Sequence, residues 1–346
     1  MTNHEQDEKE SFMKAIWHQD ALKNGSNETL PEYAHSGYTE FLIVIYTTMI
    51  ISLCGVISNG FLLVVFAADP LRCLRNISSG LILNLCIADF LTAIMIFLWT
   101  TTHWNWASEK FGQIVFCLVW FGYSASFITI ALLSLERYIV IRHIWSADTI
   151  ITKRRTTYAV VMIWLISGVS FIRLDREKLS IHMFILSSVF ELCVLVVITF
   201  YIKLWAIRRR HDALQEHRAL IKRENRLTKV VFTLIVILVL TTLPLIFLYQ
   251  LLHGLLLFCG SHCIGEVIRS IPAYLTPVFA VNFALNPAIY GWRLPKYRRS
   301  FAALFAIVTR SPARQKLDKT EVKKRNETQS LEMNATQITN GSSTSL

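Results

Sequence analysis

The chain has 346 residues, of which 53% are hydrophobic and 17% charged, and its formal net charge is +11. Soluble domains carry closer to about a quarter charged residues, so a wholly water-facing fold is excluded. The basic residues sit in short segments between apolar runs rather than interleaved through folded structure, which argues against nucleic acid as a partner and for cytoplasmic loops.

In chain order, residues 1–38 form a polar, mostly acidic tail with no signal-peptide core, so the first span is expected to act as its own insertion signal. Asn24 and Asn27 each head a glycosylation sequon in this tail. Seven largely uncharged runs follow at 41–68, 77–101, 114–141, 156–172, 179–207, 230–258 and 268–292. Most exceed the roughly 18 residues expected of a membrane-spanning helix, and the fourth lies at the short end. No alternating pattern argues for a barrel, and an open strand in lipid would leave its backbone unpaired, so every run is taken as a helix. After Trp292, Pro295 opens a stretch with Tyr297, Phe301, Leu304 and Phe305 on one face, the pattern of a helix lying on the inner leaflet over 293–307. Residues 308–346 are polar and read as a disordered tail. The fold class is therefore an all-α membrane protein: a seven-transmembrane helix bundle over 39–292 with a short amphipathic eighth helix.

Lys and Arg set the orientation. With the N-terminus outside, the inner loops carry fourteen basic residues, eight of them between Arg208 and Lys229, and the outer loops carry four. A multi-pass plasma-membrane protein with an extracellular N-terminus is the expectation. Asn76, Asn326, Asn334 and Asn340 also head sequons but fall on the inner side.

Charged and strongly polar groups inside spans are functional candidates by default. They are Asn59 in the first run, Asp89 in the second, Glu136 and Arg137 near the inner end of the third, Glu191 in the fifth, and Asn282 and Asn286 in the seventh. Each needs an inward-facing partner. Pro244 and Pro287 each remove a backbone hydrogen bond, so the sixth and seventh helices can bend there.

These positions carry a resemblance. Asn59, Leu85 to Asp89, Glu136-Arg137-Tyr138, Trp164, Tyr201, Pro244 and Asn286-Pro287-Ala288-Ile289-Tyr290 stand in order, each on its proper span. Together they resemble the rhodopsin class of G-protein-coupled receptors from Asn59 to Phe301. The resemblance implies a switch built on Glu136, Arg137, Tyr138, Tyr201, Pro244, Asn286, Pro287 and Tyr290. In it Glu224, at the foot of the sixth span, can pair with Arg137. It also implies a polar pocket of Asp89, Ser126, Asn282 and Asn286 suited to a sodium ion, since oxygen ligands around a carboxylate fit a hard cation; a water-filled network is the alternative.

The chain departs from the family in places. Gly112 stands where the third-span cysteine is usual, Cys193 where the fifth-span proline is usual, and Thr241-Thr242 in place of Cys-Trp before the sixth-span proline. The first two gaps, and the Cys259 to Cys263 pair that resembles a small third-outer-loop disulfide, are similar to adenosine and melanocortin receptors. Their ligand residues do not carry over. Tyr249 replaces the adenosine receptors' Asn, Val119 the amine receptors' Asp, and Ala280 the opsins' Schiff-base Lys. Candidate pocket residues are positional: Val119, Trp120, Tyr123, Ser124, Glu191, Tyr249, His253 and Thr276.

The function implied is transduction of an extracellular small-molecule or peptide signal to heterotrimeric G proteins by outward movement of helix six, with arrestin and membrane lipid as further partners. An adenosine-like or melanocortin-like peptide receptor is the narrower alternative. Thr344-Ser345-Leu346 resembles a PDZ-binding end. A secondary transporter is a remote alternative without the internal repeat expected of one. No nucleophile, metal or phosphate-loop motif argues for an enzyme or a resident cofactor.

Overall fold

The computed structural model describes residues 32–102, 108–143, 146–171, 176–213, 218–264 and 266–308. Asn24, Asn27 and the tail from 309 on lie outside them. So do the side chains over 170–179, 208–225 and 265–270, that of Glu224 included. Eight helices of note follow in order: α1 (Glu32–Ala68), α2 (Ile77–Thr101), α3 (Glu109–Arg142), α4 (Lys153–Ser167), α5 (Arg176–Ala213), α6 (Arg218–Phe258), α7 (Glu266–Arg293) and α8 (Pro295–Val308). Among the described residues there is no strand.

Several helices outrun the apolar runs that announced them. α6 begins at Arg218 rather than near Val230 because 218–229 is rich in Arg, Leu, Lys and Glu, strong helix formers that need no lipid to stay helical. α4 is shorter than expected: the α-helix stops at Ser167 and a 3-10 turn, Gly168–Phe171, finishes the span. Local signals fix the starts. Asn76 caps α2 by accepting the Ser79 N–H at 2.9 Å, and Ser108 and Thr152 cap α3 and α4 in the same way. Asn76 is thus a structural cap.

α1 packs on α2, α2 on α3, α3 on α4 and α5, α5 on α6, α6 on α7, and α7 back on α1, which closes a ring. α3 also meets α6, and α2 meets α7, across the middle. The exterior is apolar. Ile43, Ile50, Ile57 and Val64, seven apart along α1, are each more than half exposed, which gives that helix an outward hydrophobic stripe that only lipid can satisfy. The polar groups are inside: Asn59, Asp89, Thr129, Asn282 and Asn286 are buried. By length and composition α1, α2, α3, α5 and α6 can each cross a membrane. α4 and α7 complete the bundle of seven. α8 turns at Pro295 and buries Tyr297 and Leu304 against it, while Phe305 is exposed rather than sharing their buried face.

Candidate functional site

The interior polar groups form several separate clusters spaced from mid-bundle to the inner end. In α7, Pro287 has no N–H to give the carbonyl of Phe283 one turn earlier. Asn59 of α1 takes that carbonyl instead, donating from Nδ2 at 2.8 Å, and Ser58 donates to Ala284 O at 3.2 Å. The carbonyl that Pro287 leaves unserved in α7 is therefore satisfied by α1. Beside it, Asp89 of α2 is fully buried and accepts from Ser126 of α3 at 2.5 Å and from Asn286 of α7 at 2.6 Å. One carboxylate ties three helices. Asn282 does not join it: both its amide atoms are buried without a partner among the described residues. A second bridge runs α3–α2–α4, where Asn84 donates to Thr129 at 2.7 Å and Trp164 Nε1 donates to Asn84 at 2.9 Å.

At the inner end, Arg137 is 2% exposed. Its guanidinium donates to both carboxylate oxygens of Glu136 and, at 2.8 Å, to Ser78 Oγ, whose own proton goes to Glu136 at 2.8 Å. A buried arginine is tolerable only when charge and donors are met in this way. Tyr138 packs on Phe200 of α5, and Tyr201 stacks on Phe232 of α6 at 4.5 Å. Tyr290 is fully buried, and its hydroxyl has no partner among the described residues. A cavity of about 320 Å³ lies alongside, between Ser78, Asn76, Arg226, Leu294 and Lys296. Ser78 is the site residue that motif reading missed; a serine in a helix's first turn is too common to stand out.

In the outer half the positional pocket residues are mostly packing. Trp120 is 6% exposed, with ring centroids 5.6 Å from Tyr123 and 5.5 Å from Tyr249. Tyr123 packs on Phe190 at 4.8 Å and on Phe279 at 5.3 Å. Val119 is buried, and Ser124 turns its hydroxyl to its own helix at Trp120 O, 2.7 Å away. Only Tyr249 and Thr276 of the eight line the outer cavity. Glu191 is half-buried, and its Oε1, like Nδ1 of His253, has no hydrogen-bond partner among the described residues. Cys259 and Cys263 are joined by a disulfide with Cα atoms 6.0 Å apart, a separation that such a bond accommodates.

The sequence pattern of the 7 transmembrane receptor (rhodopsin family) matches residues 58–174, from the first buried asparagine to the end of the fourth span. That match takes in about a third of the chain, which over its first four spans is similar to the rhodopsin family. The chain is also distantly similar to curated proteins. It is 26% identical over 315 residues to melanopsin of Felis catus, 25% over 315 residues to melanopsin of Homo sapiens, and 24% over 319 residues to the melanopsin-like protein of Danio rerio. These alignments take in 79–81% of this chain and 60–62% of the relatives, so the chain spans about three fifths of their length. The family is one of receptors, not enzymes. The adenosine-like or melanocortin-like alternative is not favoured, because the curated relatives that the chain matches are melanopsins; the Cys259–Cys263 disulfide that also suggested it is present but does not decide the branch.

The opsins' Schiff base does not fit this chain. Ala280, buried on α7, has no amine, and Phe279 and Phe283 beside it are packed into the aromatic cluster. The family's sixth-span tryptophan is also absent. Thr242 is buried in its place, and the aromatic mass at that level comes from α3, α5 and α7.

Proposed function

We propose that this chain is a plasma-membrane receptor, N-terminus outside, that couples an extracellular ligand to nucleotide exchange on a heterotrimeric G protein. The observation that carries the reading is the Arg137–Glu136–Ser78 cluster. A buried guanidinium at the inner helix end is held by contacts from α2 and α3 that are local and can be exchanged for others. The second observation is Tyr290. A buried hydroxyl without a partner costs about 1–3 kcal/mol, so an arrangement that pairs it competes with this one. Bending α6 at Pro244 opens the inner cavity already lined by Arg226 and Leu294. An outer ligand that prefers the open arrangement shifts the population toward it.

Arrestin and a PDZ domain are proposed partners of the tail, and the basic inner loops favour an anionic leaflet. A sodium ion is proposed at Asp89, Ser126 and Asn286 with the free oxygen of Asn282. This oxygen set suits a hard cation, and the idle Asn282 amide supports it. Sodium chloride, against equal potassium chloride, should raise the thermal midpoint of the native chain and leave Asp89→Asn unmoved; equal responses of the two proteins would remove the ion from the account. The function is tested by nucleotide exchange on G-protein heterotrimers added to the purified chain in lipid nanodiscs. Exchange above the protein-free rate, lost in Arg137→Ala, supports it. Exchange that persists undiminished in that variant contradicts it.

A further inference from the structure

Between the outer halves of α1, α2, α3, α6 and α7 lies a cavity of about 270 Å³. It is displaced toward α1 and α7 because Trp120, wedged against Phe116, Tyr123 and Tyr249, fills the centre of the bundle. Its walls are aromatic and aliphatic, with Phe41, Trp99, Phe116 and Tyr249 the large members, and no described lining residue is charged. A carboxylate or ammonium ligand would enter this space without a counter-charge, at a cost of several kcal/mol. The cavity therefore selects a neutral guest.

The polar atoms of the lining narrow the guest further. Three threonines contribute hydroxyls, and each has spent its proton on its own helix. Thr48 donates to Val44 O at 2.7 Å, Thr100 to Phe97 O at 2.7 Å, and Thr276 to Pro272 O at 3.1 Å. What remains on those oxygens is lone pairs. Ala273, also in the lining, has a carbonyl that Pro277 cannot serve, because proline has no N–H for the residue four positions earlier. The phenol of Tyr249, a donor and an acceptor, and the indole N–H of Trp99, a donor, complete the polar groups of the described lining side chains. Acceptors outnumber donors on a wall that is otherwise apolar.

We infer that this cavity is a ligand site for a neutral, largely apolar small molecule that carries a hydrogen-bond donor, of the alcohol or phenol class. The apolar body lies among Trp99, Phe116 and Tyr249, and the donor reaches the threonine oxygens or the carbonyl of Ala273. A proton-bearing head is favoured over an ether of the same shape by about one hydrogen bond made away from water, roughly tenfold in affinity. The signalling consequence rests on the receptor reading above; the binding itself does not.

The test uses the full chain in detergent micelles and three probes of one shape: 4-octylphenol, 4-octylanisole and 4-octylbenzoate. Each is titrated against the thermal midpoint, and the apparent dissociation constant follows from the saturable rise. The phenol should stabilise at a concentration about tenfold lower than the anisole, and the benzoate should not stabilise at all. Ala273→Trp, which fills the cavity, should abolish the phenol's effect. Should that variant fail to fold, the near-isosteric triple Thr48→Val, Thr100→Val, Thr276→Val should cut the phenol's advantage over the anisole at least about threefold. Equal stabilisation by all three probes, a benzoate that binds best, or a phenol response unchanged in the folded variants overturns the assignment. Absent G-protein coupling would leave these midpoints untouched, so the two readings fail separately.

Discussion

Asn59 explains itself only beside Pro287. The proline deletes the N–H that Phe283 O needs, and the asparagine supplies a replacement 224 residues away in sequence. Asn59→Leu should therefore do more than lose a hydrogen bond, because it strands a buried carbonyl. The expected loss is on the order of 1–3 kcal/mol, read as a lower thermal midpoint in detergent; an unchanged midpoint would mean that water serves the carbonyl instead. Trp164→Phe should cost a similar amount, roughly 1–3 kcal/mol, because it leaves the buried Oδ1 of Asn84 without its donor although Nδ2 keeps its bond to Thr129. Sequence made these residues visible through cost. A charge or amide in an apolar run is expensive enough to need a reason, and Arg137, Glu136, Asp89 and Asn286 all proved to be joined. Ser78 was invisible because a serine costs little. Asn282 carried the same signal as Asn286 yet faces no described partner, since a pattern fixes the span and depth of a residue but not which neighbour comes within 3 Å.

At the scale of elements, the close approach of α2 and α3 depends on Gly122. A Cβ there would stand 2.4 Å from Thr92 Oγ1 and 3.3 Å from its backbone nitrogen. Gly122→Ala should destabilise by about 1–3 kcal/mol through overpacking, and Thr92→Ala in the same chain should recover part of that loss. Two variants that are equally unstable would show that the backbones, not the hydroxyl, set the limit. The helix ends show what apolar runs can and cannot tell. The runs marked where lipid begins and ends, whereas helix-forming polar residues carry the helices beyond them, as α6 extends back to Arg218, and α4 tightens at Gly168. The outer cavity was unreadable for a related reason. Trp99, Phe116 and Ala273 look the same in sequence whether they pack against a neighbour or face a void.

The whole molecule is an inverted globule, with aliphatic stripes outward and amides and carboxylates inward. That inversion was legible from composition and run length alone. The two-layer interior was not. Its outer half is aromatic, centred on Trp120 and Tyr123, and its inner half is polar, running from Asp89 to Arg137. Ala280 separates this chain from opsins that bind their chromophore through lysine, and α7 holds no lysine at all: incubation with an aldehyde chromophore and borohydride should give no saturable one-to-one adduct, and such an adduct at any lysine would refute the packing described. The central claim is that the inner half has two arrangements distinguished by α6. It is tested most directly by the distance between spin labels placed at Arg154 in α4 and Arg226 in α6, measured by pulsed electron resonance in nanodiscs with and without nucleotide-free G protein. A second, longer distance that gains population when the G protein is added is the predicted result. A single distance, unmoved by the G protein, would contradict it.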